Sequence, residues 1–314
     1  MSTNQQRREA AKRKLEHQIE SRAAKAKRAK VIGAAVTGVV VLAVIGLVLF
    51  FVNRADQQAA AEAQEKAEQA AEQKAAEKKA AEEQKKQLAE VKKAAAKQAR
   101  EVKIPTKRMN PVQRPKPLPD PSTCKYAPSQ EPPAKEVDPP KEKKVPASGT
   151  VDVMFSSTAG EIGMELDRAL APCTVNSVVS LIQQGYYDGT SCHRLGIEGL
   201  QMLQCGDPTG QGNGGPGYTV PDENFKQLKY GRGIVAMANT GQPNSGGGQF
   251  FLVFGDAKLP PQYTVFGTIT DPGLKTLDKV ARKGIDAESL MQSQDGTGKP
   301  AREVKFTKVA IAGD

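Results

Sequence analysis

The longest hydrophobic stretch of the chain is an unbroken run of apolar and small residues at positions 31–52, which carries no charge. About 20 apolar residues in a helix span the hydrocarbon core of a bilayer, whereas the apolar region of a secretory signal has about 7–15. Positions 1–30 are crowded with Lys and Arg, which favours a cytoplasmic location. The pattern predicts a basic cytoplasmic tail at 1–30, a single transmembrane helix in the lipid bilayer at 31–52, and an extracytoplasmic remainder anchored to the cell membrane.

The next segment, 53–103, consists almost entirely of Ala, Glu, Gln and Lys, and large apolar residues are nearly absent before Leu88. These residues rank high in helix propensity, and Glu–Lys spacings of three and four support a helix further. A heptad seam here would offer mainly alanine, so a coiled coil is only weakly indicated. We expect a solvated helical spacer, and whether it self-associates stays open.

Positions 104–147 contain twelve of the 21 prolines, with Lys and Glu between them. This composition favours extended, polyproline-like backbone and predicts a linker. Cys124 interrupts the segment, and a cysteine has no evident role in a linker unless it docks onto another part of the chain.

Period-two alternation of apolar and polar residues marks two strands, at 151–156 and 161–167, on either side of a turn. Helical periodicity occurs twice, in a segment opened by Pro172 and in a second segment ended by Gly284. Many short strands with two helices predict a mainly β domain at 148–314. A closed barrel fits this pattern because closure removes exposed strand edges.

Charge and composition argue against several function classes. The 314-residue chain has a formal net charge of +10, but the excess of Lys and Arg lies before Ser148, so the globular part lacks a nucleic-acid-binding footprint. The only histidines are His17 and His193, and no Cys-x-x-Cys pair occurs, which disfavours a zinc site. The glycine-rich loops contain no Gly-Lys-Ser/Thr for a phosphate. We expect no nucleic-acid partner, no metal and no cofactor.

Three short apolar runs between 191 and 255 carry the side chains of most chemical interest. Residues two apart on a strand share a face, so Phe250 and Phe251 point to opposite sides. If the corresponding faces of these strands lie on the same side of the sheet, they form an apolar floor beneath one guanidinium and two amides. Such a site suits a prolyl peptide. That face would carry Arg194, Met202, Gln204, Gln249 and Phe251. The alternative is a solvated arginine at a sheet edge and a Phe-Phe pair in the core.

Five short motifs follow one another in the globular part: Cys192-His193-Arg194, Gln204-Cys205-Gly206-Asp207, Met237-Ala238-Asn239-Thr240-Gly241, Gly248-Gln249-Phe250-Phe251 and Val265-Phe266-Gly267. In order and rough spacing they resemble the cyclophilin-type peptidyl-prolyl isomerases. The whole organisation also resembles the membrane-anchored cyclophilins of actinobacteria. The resemblance implies an eight-stranded antiparallel barrel capped by two α-helices, and peptidyl-prolyl cis-trans isomerase activity that needs no cofactor.

The resemblance also implies roles for individual residues. Arg194 matches the arginine that hydrogen-bonds towards the prolyl nitrogen and weakens amide conjugation. The proline pocket corresponds to Met202, Phe251, Leu259 and Tyr263. Positions that hold or frame the substrate backbone correspond to Gln204, Ala238, Asn239 and Gln249.

The sequence departs from the family pattern at three places. The interval between Arg194 and Gln204 is slightly longer than usual, so the family's pocket Phe corresponds to Leu200 by chemistry or to Gln201 by direct count. Tyr263 replaces a histidine and keeps an aromatic wall without an imidazole. Lys258 replaces a Trp that helps the family bind cyclosporin, which weakens the expectation that this drug binds.

The resemblance therefore implies a monomeric, extracytoplasmic prolyl isomerase. Its substrates would be proline-containing polypeptides, and it would assist the folding of secreted or envelope proteins. The alternative is a membrane-tethered module that binds proline peptides with little or no turnover. The presence of Arg194 favours the enzyme.

All four cysteines lie beyond the predicted span, in a compartment where disulfides persist. Four cysteines allow three connectivities, and these are Cys124, Cys173, Cys192 and Cys205. We expect at least one disulfide, with Cys124 tying the linker to the barrel. Four free, buried cysteines are the alternative.

Overall fold

The computed structural model describes residues 39–313, with side chains from Glu65 onward except that of Ala67. The predicted tail at 1–30 and the first part of the predicted span, 31–38, lie outside these residues. Helix α1 runs over Val39–Glu101. Within the described part of the chain, no helix is long and apolar enough to cross a membrane.

The chain divides into two compact units, Met1–Lys79 and Ala80–Asp314, and the contacts reported below lie within the second. At the end of α1, Ala95 and Ala99 are buried. A β-carbon placed on Gly284 would lie 2.8 Å from that of Ala99. The helix can approach this turn closely because both positions carry minimal side chains.

Ten strands form the β structure of the second unit. They are β1 (Ala127–Pro128), β2 (Thr150–Ser157), β3 (Gly160–Asp167), β4 (Arg194–Gly196), β5 (Leu200–Cys205), β6 (Tyr218–Thr219), β7 (Ile234–Met237), β8 (Phe250–Ala257), β9 (Val265–Ile269) and β10 (Phe306–Ile311). Eight of them make one antiparallel sheet in the order β10-β2-β3-β9-β7-β8-β5-β4, and β1 pairs separately with β6.

The eight-stranded sheet is curled and open, so the prediction of a fully closed barrel was wrong. Its two ends, β4 and β10, do not pair with each other in the described structure. Instead, the segment before β4 approaches the start of β10 and the residues before it, through hydrogen bonds from Cys192 N to Val304 O (2.9 Å) and from Phe306 N to Thr190 O (2.8 Å). The prediction of a mainly β, eight-stranded antiparallel domain is confirmed.

An aromatic cluster fills the centre of the sheet. Along β2 buried and exposed residues alternate, and Phe155 is fully buried. Its ring lies 4.8 Å from that of Phe306 and 5.5 Å from that of Phe250, centre to centre, in edge-to-face arrangements. Such pairs stabilise a core beyond their buried area. Phe250 therefore belongs to this interior cluster, on the side opposite Phe251, as strand alternation predicts.

Three helices accompany the sheet: α2 (Pro172–Gln183), α3 (Asp271–Ala281) and the short α4 (Ala287–Gln292). The first two were predicted and the third was missed. The start of α2 is capped by Glu223, whose carboxylate accepts from Cys173 N (2.9 Å) and from Thr174 N and Oγ1 (2.8 and 2.7 Å). A negative charge is favourable at a helix amino terminus. Burial nevertheless raises the pKa of Glu223, and these hydrogen bonds oppose that effect.

The proline-rich segment, residues 104–147, lies along the second unit and is called the strap here. Met109 N donates to Arg232 O (2.8 Å), and the Arg114 guanidinium sits 5.0 Å from the centre of the Phe225 ring. Further on, β1 pairs with β6, and Tyr126 Oη donates to Cys173 O (2.9 Å). The segment predicted as an extended linker thus contacts the domain at several points.

Two disulfides are present, Cys124–Cys173 and Cys192–Cys205, and the described chain has no free cysteine. The first joins the strap to the start of α2, so the prediction that Cys124 ties this segment to the domain is confirmed. The second joins the segment before β4 to the last residue of β5. The alternative of four free cysteines was wrong.

Candidate functional site

Arg194 begins β4 and lies opposite Gln204 of β5 in the antiparallel register. Its side chain is about one-third exposed, at 35%. Nη1 donates to Gln204 Oε1 (3.3 Å). The guanidinium is therefore placed at the edge of the sheet, where a peptide can reach it.

A cavity of about 80 Å³ lies beside this guanidinium, and it is called the proline pocket here after the role that the sequence resemblance implies for its residues. It gathers all the predicted site residues except Ala238 and Gln249, which line a neighbouring cavity. Its lining residues are Arg194, Leu200, Met202, Gln204, Asn239, Phe251, Leu259 and Tyr263. The arrangement is a small apolar recess with a cation and amides at its margin.

The ring of Phe251 is held by aromatic neighbours on two sides. It meets Tyr263 edge to face at 5.4 Å between ring centres, and Tyr230 lies 6.4 Å away. Tyr230 Oη donates to Tyr263 O (2.8 Å) and accepts from Tyr263 N (3.0 Å). Burial raises the pKa of Tyr230 to about 12. Sequence reasoning missed Tyr230, because it lies outside the motifs and supports Tyr263 only through the fold.

The family's pocket Phe corresponds to either Leu200 or Gln201 by sequence, and in the structure Leu200 takes this position. Along β5, Leu200, Met202 and Gln204 line the proline pocket, whereas Gln201 is buried on the other side. Its amide donates to Ile197 O (3.2 Å) and Lys103 O (2.9 Å). Gln201 therefore binds the residue just before the strap to the sheet and leaves the apolar wall to Leu200.

Arg194 is also held by a loop far along the chain. Nη2 contacts Asp295 Oδ2 at 2.6 Å, and Nε donates to Thr297 Oγ1 at 2.8 Å. Asp295 in turn accepts from the backbone N and hydroxyl of Thr297 (3.0 and 2.6 Å). Hydrogen bonds from Thr297, and further ones from Arg194 and Ser293, hold the pKa of Asp295 well below its usual range. No local sequence signal links this loop to Arg194.

Two glutamine amides connect Arg194 to the glycine-rich loop after β5. Gln204 Nε2 donates to Gln249 Oε1 (3.0 Å), and Gln249 Nε2 donates to Gly214 O (3.0 Å). Each amide thus accepts from one neighbour and donates to the next. The chain of bonds fixes both amides between the arginine and the loop.

His193 directly precedes Arg194 but does not line the proline pocket. Both of its ring nitrogens are buried without a hydrogen-bond partner in the described structure. Burial lowers the pKa of His193, with Asp207 opposing this and Arg194 adding to it. A neutral imidazole whose nitrogens are buried away from this pocket does not suit general acid–base chemistry there.

Within residues 39–313, no group of three or more His, Cys, Asp or Glu side chains could hold a metal ion. The chemistry available at the pocket comes from one guanidinium, amides and apolar walls. These groups can bind a small ring and donate hydrogen bonds, and the phenol of Tyr263 is the one further reactive group among the lining side chains. Such a set suits a conformational change of a bound peptide.

A family model described as cyclophilin type peptidyl-prolyl cis-trans isomerase/CLD matches residues 150–311. The chain is 47% identical over 204 residues to the probable peptidyl-prolyl cis-trans isomerase B of Mycobacterium tuberculosis. The aligned region covers 60% of this chain and 64% of that protein. The chain is 37% identical over 150 residues to the human peptidyl-prolyl cis-trans isomerase-like 3, covering 46% of this chain and 91% of that protein.

A crystal structure of a Cryptosporidium parvum cyclophilin type peptidyl-prolyl cis-trans isomerase is similar at 29% sequence identity and a TM-score of 0.45, covering 53% of this chain and 99% of that one. The match to the mycobacterial relatives spans less than two thirds of their length, 64% and 66% for the proteins of Mycobacterium tuberculosis and Mycobacterium leprae.

Proposed function

The chain belongs to the cyclophilin-type peptidyl-prolyl cis-trans isomerase family, and on that premise we propose that it catalyses the cis–trans isomerisation of prolyl peptide bonds. The observation that carries the proposal is the position of Arg194 at the margin of a small apolar pocket. Its substrates are proline-containing polypeptides, and no cofactor takes part.

Rotation about a prolyl bond is slow because amide conjugation raises the barrier to about 18–20 kcal/mol. The bond twists more easily when its nitrogen becomes pyramidal, and a donor close to that nitrogen stabilises this state. Arg194 has N–H groups left for this task, because its contacts to Asp295, Thr297 and Gln204 use only three of its five.

One charge-assisted hydrogen bond contributes about 1.5–3 kcal/mol, which is a minor part of the stabilisation that a million-fold acceleration needs, about 8 kcal/mol. The remainder must come from preferential binding of the twisted peptide. The walls formed by Met202, Phe251 and Leu259 exclude water from the ring, and Gln204 and Asn239 lie where they can bind the peptide backbone.

The test is the isomerisation of a proline tetrapeptide by the full-length chain, with Arg194→Ala as the matched control. Acceleration by the wild type that the variant loses would support the proposal. Binding of the peptide without acceleration would favour the second candidate, a tethered module with little or no turnover. The ion pair between Arg194 and Asp295 favours this second candidate, because it gives the guanidinium a structural role that does not require turnover.

The cellular setting is proposed from the sequence. The uncharged run at 31–52 after a basic flank supports a single-pass anchor in the cell membrane, with the isomerase domain outside and secreted or envelope proteins as clients. Two disulfides support an oxidising compartment. Protease added to spheroplasts should degrade the isomerase domain, and protection in sealed spheroplasts would contradict this topology.

A further inference from the structure

A second cavity, of about 180 Å³, adjoins the proline pocket and is called the side pocket here. Asn239 lines both cavities. Gln249 lines the side pocket and accepts a hydrogen bond from Gln204, which lines the proline pocket. A peptide with its proline in the first cavity therefore presents a neighbouring side chain to the second.

Part of the side pocket is supplied by the strap, through Ser129, Glu131 and Pro132. Hydrogen bonds on both sides of these residues fix them, from Ser129 N to Gly217 O (2.9 Å) and from Ala134 N to Gly215 O (2.8 Å). The strap therefore forms a fixed wall of the side pocket.

The close approach of the strap to the glycine-rich loop at 212–217 depends on Gly217. Gly217 has a φ of +80°, and a β-carbon there would lie 3.1 Å from Pro133. The same Gly217 carbonyl accepts from Ser129 N. The loop and the strap are thus packed against each other closely enough that the strap's position is part of the pocket's shape.

The shape of the side pocket suits a long, slender side chain. Most of its lining consists of glycines and small residues, in the ranges 212–217 and 245–248, with Ala238 and Pro132 as further apolar surface. An unbranched alkyl stem can lie against such a surface while its polar end reaches the rim.

The charge of the side pocket comes from one residue. Glu131 is the only formally charged side chain among the lining residues, and it is exposed. Within the described part of the chain it takes part in no salt bridge. Its backbone N–H donates to Ser129 Oγ (3.2 Å), which keeps this segment turned beside the cavity. A carboxylate without a cationic partner at the rim favours a positively charged ligand group.

We infer that the strap completes a side-chain pocket of the substrate groove, and that Glu131 selects segments with a lysine or arginine near the isomerised proline. This inference rests on the proposed function, because it assigns the substrate class of the same site. A solvent-exposed charge pair contributes a two- to fivefold effect on affinity, and salt weakens it.

The experiment uses the full-length chain and hexapeptides that contain one proline. Lysine, norleucine or glutamate is placed in turn at each of the three positions before and the two positions after the proline, with alanine elsewhere. Isomerisation rates are measured by NMR exchange and dissociation constants by titration, at low and high salt. The variants are Glu131→Gln, Glu131→Lys and, as a matched control, Glu136→Gln, a strap glutamate that is exposed and does not line the cavity.

At one peptide position, the lysine peptide should bind two- to fivefold more tightly than the norleucine peptide at low salt, and the norleucine peptide should bind two- to fivefold more tightly than the glutamate peptide. Glu131→Gln should abolish this order, Glu131→Lys should reverse it, and Glu136→Gln should keep it. Equal dissociation constants for the lysine, norleucine and glutamate peptides at every position would overturn the inference. An unchanged preference for lysine in the Glu131→Gln variant would also overturn it. If no peptide is isomerised, the proposed function fails, and the dissociation constants still decide the role of Glu131.

Discussion

Asp295 Oδ2 lies 2.6 Å from Arg194 Nη2, although the two residues are 101 positions apart in the sequence. Thr297 strengthens the relationship, because its hydroxyl accepts from Arg194 Nε and donates to Asp295. The loop after α4 therefore orients the guanidinium and also neutralises part of its charge. Asp295 acts through Arg194, as a positioning residue.

Replacing Asp295 by alanine should lower kcat two- to fivefold with little change in KM, because a partly exposed ion pair orients the arginine and contributes modestly. Asp295→Asn should retain more activity, since an amide oxygen still accepts from Arg194. Peptide isomerisation rates measure both effects. Asp152→Asn, at an exposed position on β2, serves as the control. If the Asp295→Ala enzyme is as active as wild type, the contacts of Thr297 and Gln204 are sufficient to orient Arg194, and Asp295 is not a positioning residue.

Arg194→Ala should reduce kcat/KM by about tenfold to more than a hundredfold, the loss expected for one charge-assisted hydrogen bond. The fold should survive, because the side chain is partly exposed at the sheet edge. Arg194→Lys should restore only part of the activity, since an ammonium lacks the planar fork. Isomerisation rates with circular dichroism as the folding control test this, and unchanged activity in the alanine variant would assign the chemistry to another group.

The two adjacent phenylalanines should respond differently to truncation. Phe250→Ala should cost on the order of 3–5 kcal/mol of unfolding free energy, because the ring is 1% exposed and packs against Phe155 and Phe306. Phe251→Ala should mainly weaken peptide binding, because that ring borders the proline pocket. Urea unfolding and peptide titration separate the two effects, and an exchange of the two phenotypes would reverse the assignment of faces.

Cys124→Ser should lower the unfolding free energy by about 2–4 kcal/mol, because the bridge to Cys173 closes a loop between residues 49 positions apart. Without reductant, wild type should react with no equivalent of an alkylating reagent, and the variant should expose the thiol of Cys173. Intact mass and peptide mapping measure this. Four alkylated thiols in unreduced wild type would contradict both bridges.

His193 should make stability depend on pH. Burial lowers its pKa below the ordinary value of 6.5, so the unfolded chain binds the proton more readily than the folded chain does. The unfolding free energy should therefore rise with pH between the lowered folded pKa and about pH 7, and this contribution is lost as pH falls through that window. His193→Gln should remove this slope. Urea unfolding at several pH values compares the two proteins, and equal slopes would contradict a buried neutral imidazole.

Local patterns predict much of the site because strand alternation is a local property. Met202 and Gln204 are two apart on β5 and both line the proline pocket. Asp295 and Tyr230 could not be found this way, since each acts on a residue distant in sequence through a contact that leaves no periodic trace.

The strap illustrates the same limit. The prolines of the strap predict an extended backbone. The docking of the strap onto the domain, however, depends on irregularly spaced groups such as Cys124, Tyr126 and Ala134. The sheet closure was overestimated for a related reason. The general tendency of sheets to lose exposed edges does not predict that the segment before β4 meets the start of β10 through only a few hydrogen bonds.

The Cys124–Cys173 bridge also determines how the domain responds to mechanical force. A pull on the chain from the amino-terminal side reaches Cys124 before it reaches β2, and the covalent bond passes the load to the start of α2. The strap residues beyond Cys124, including Glu131 beside the side pocket, lie behind that attachment and bear no tension. If the proposed anchor tethers the domain, drag on it would therefore leave the strap wall of the side pocket at its resting geometry for as long as the sulfurs stay joined.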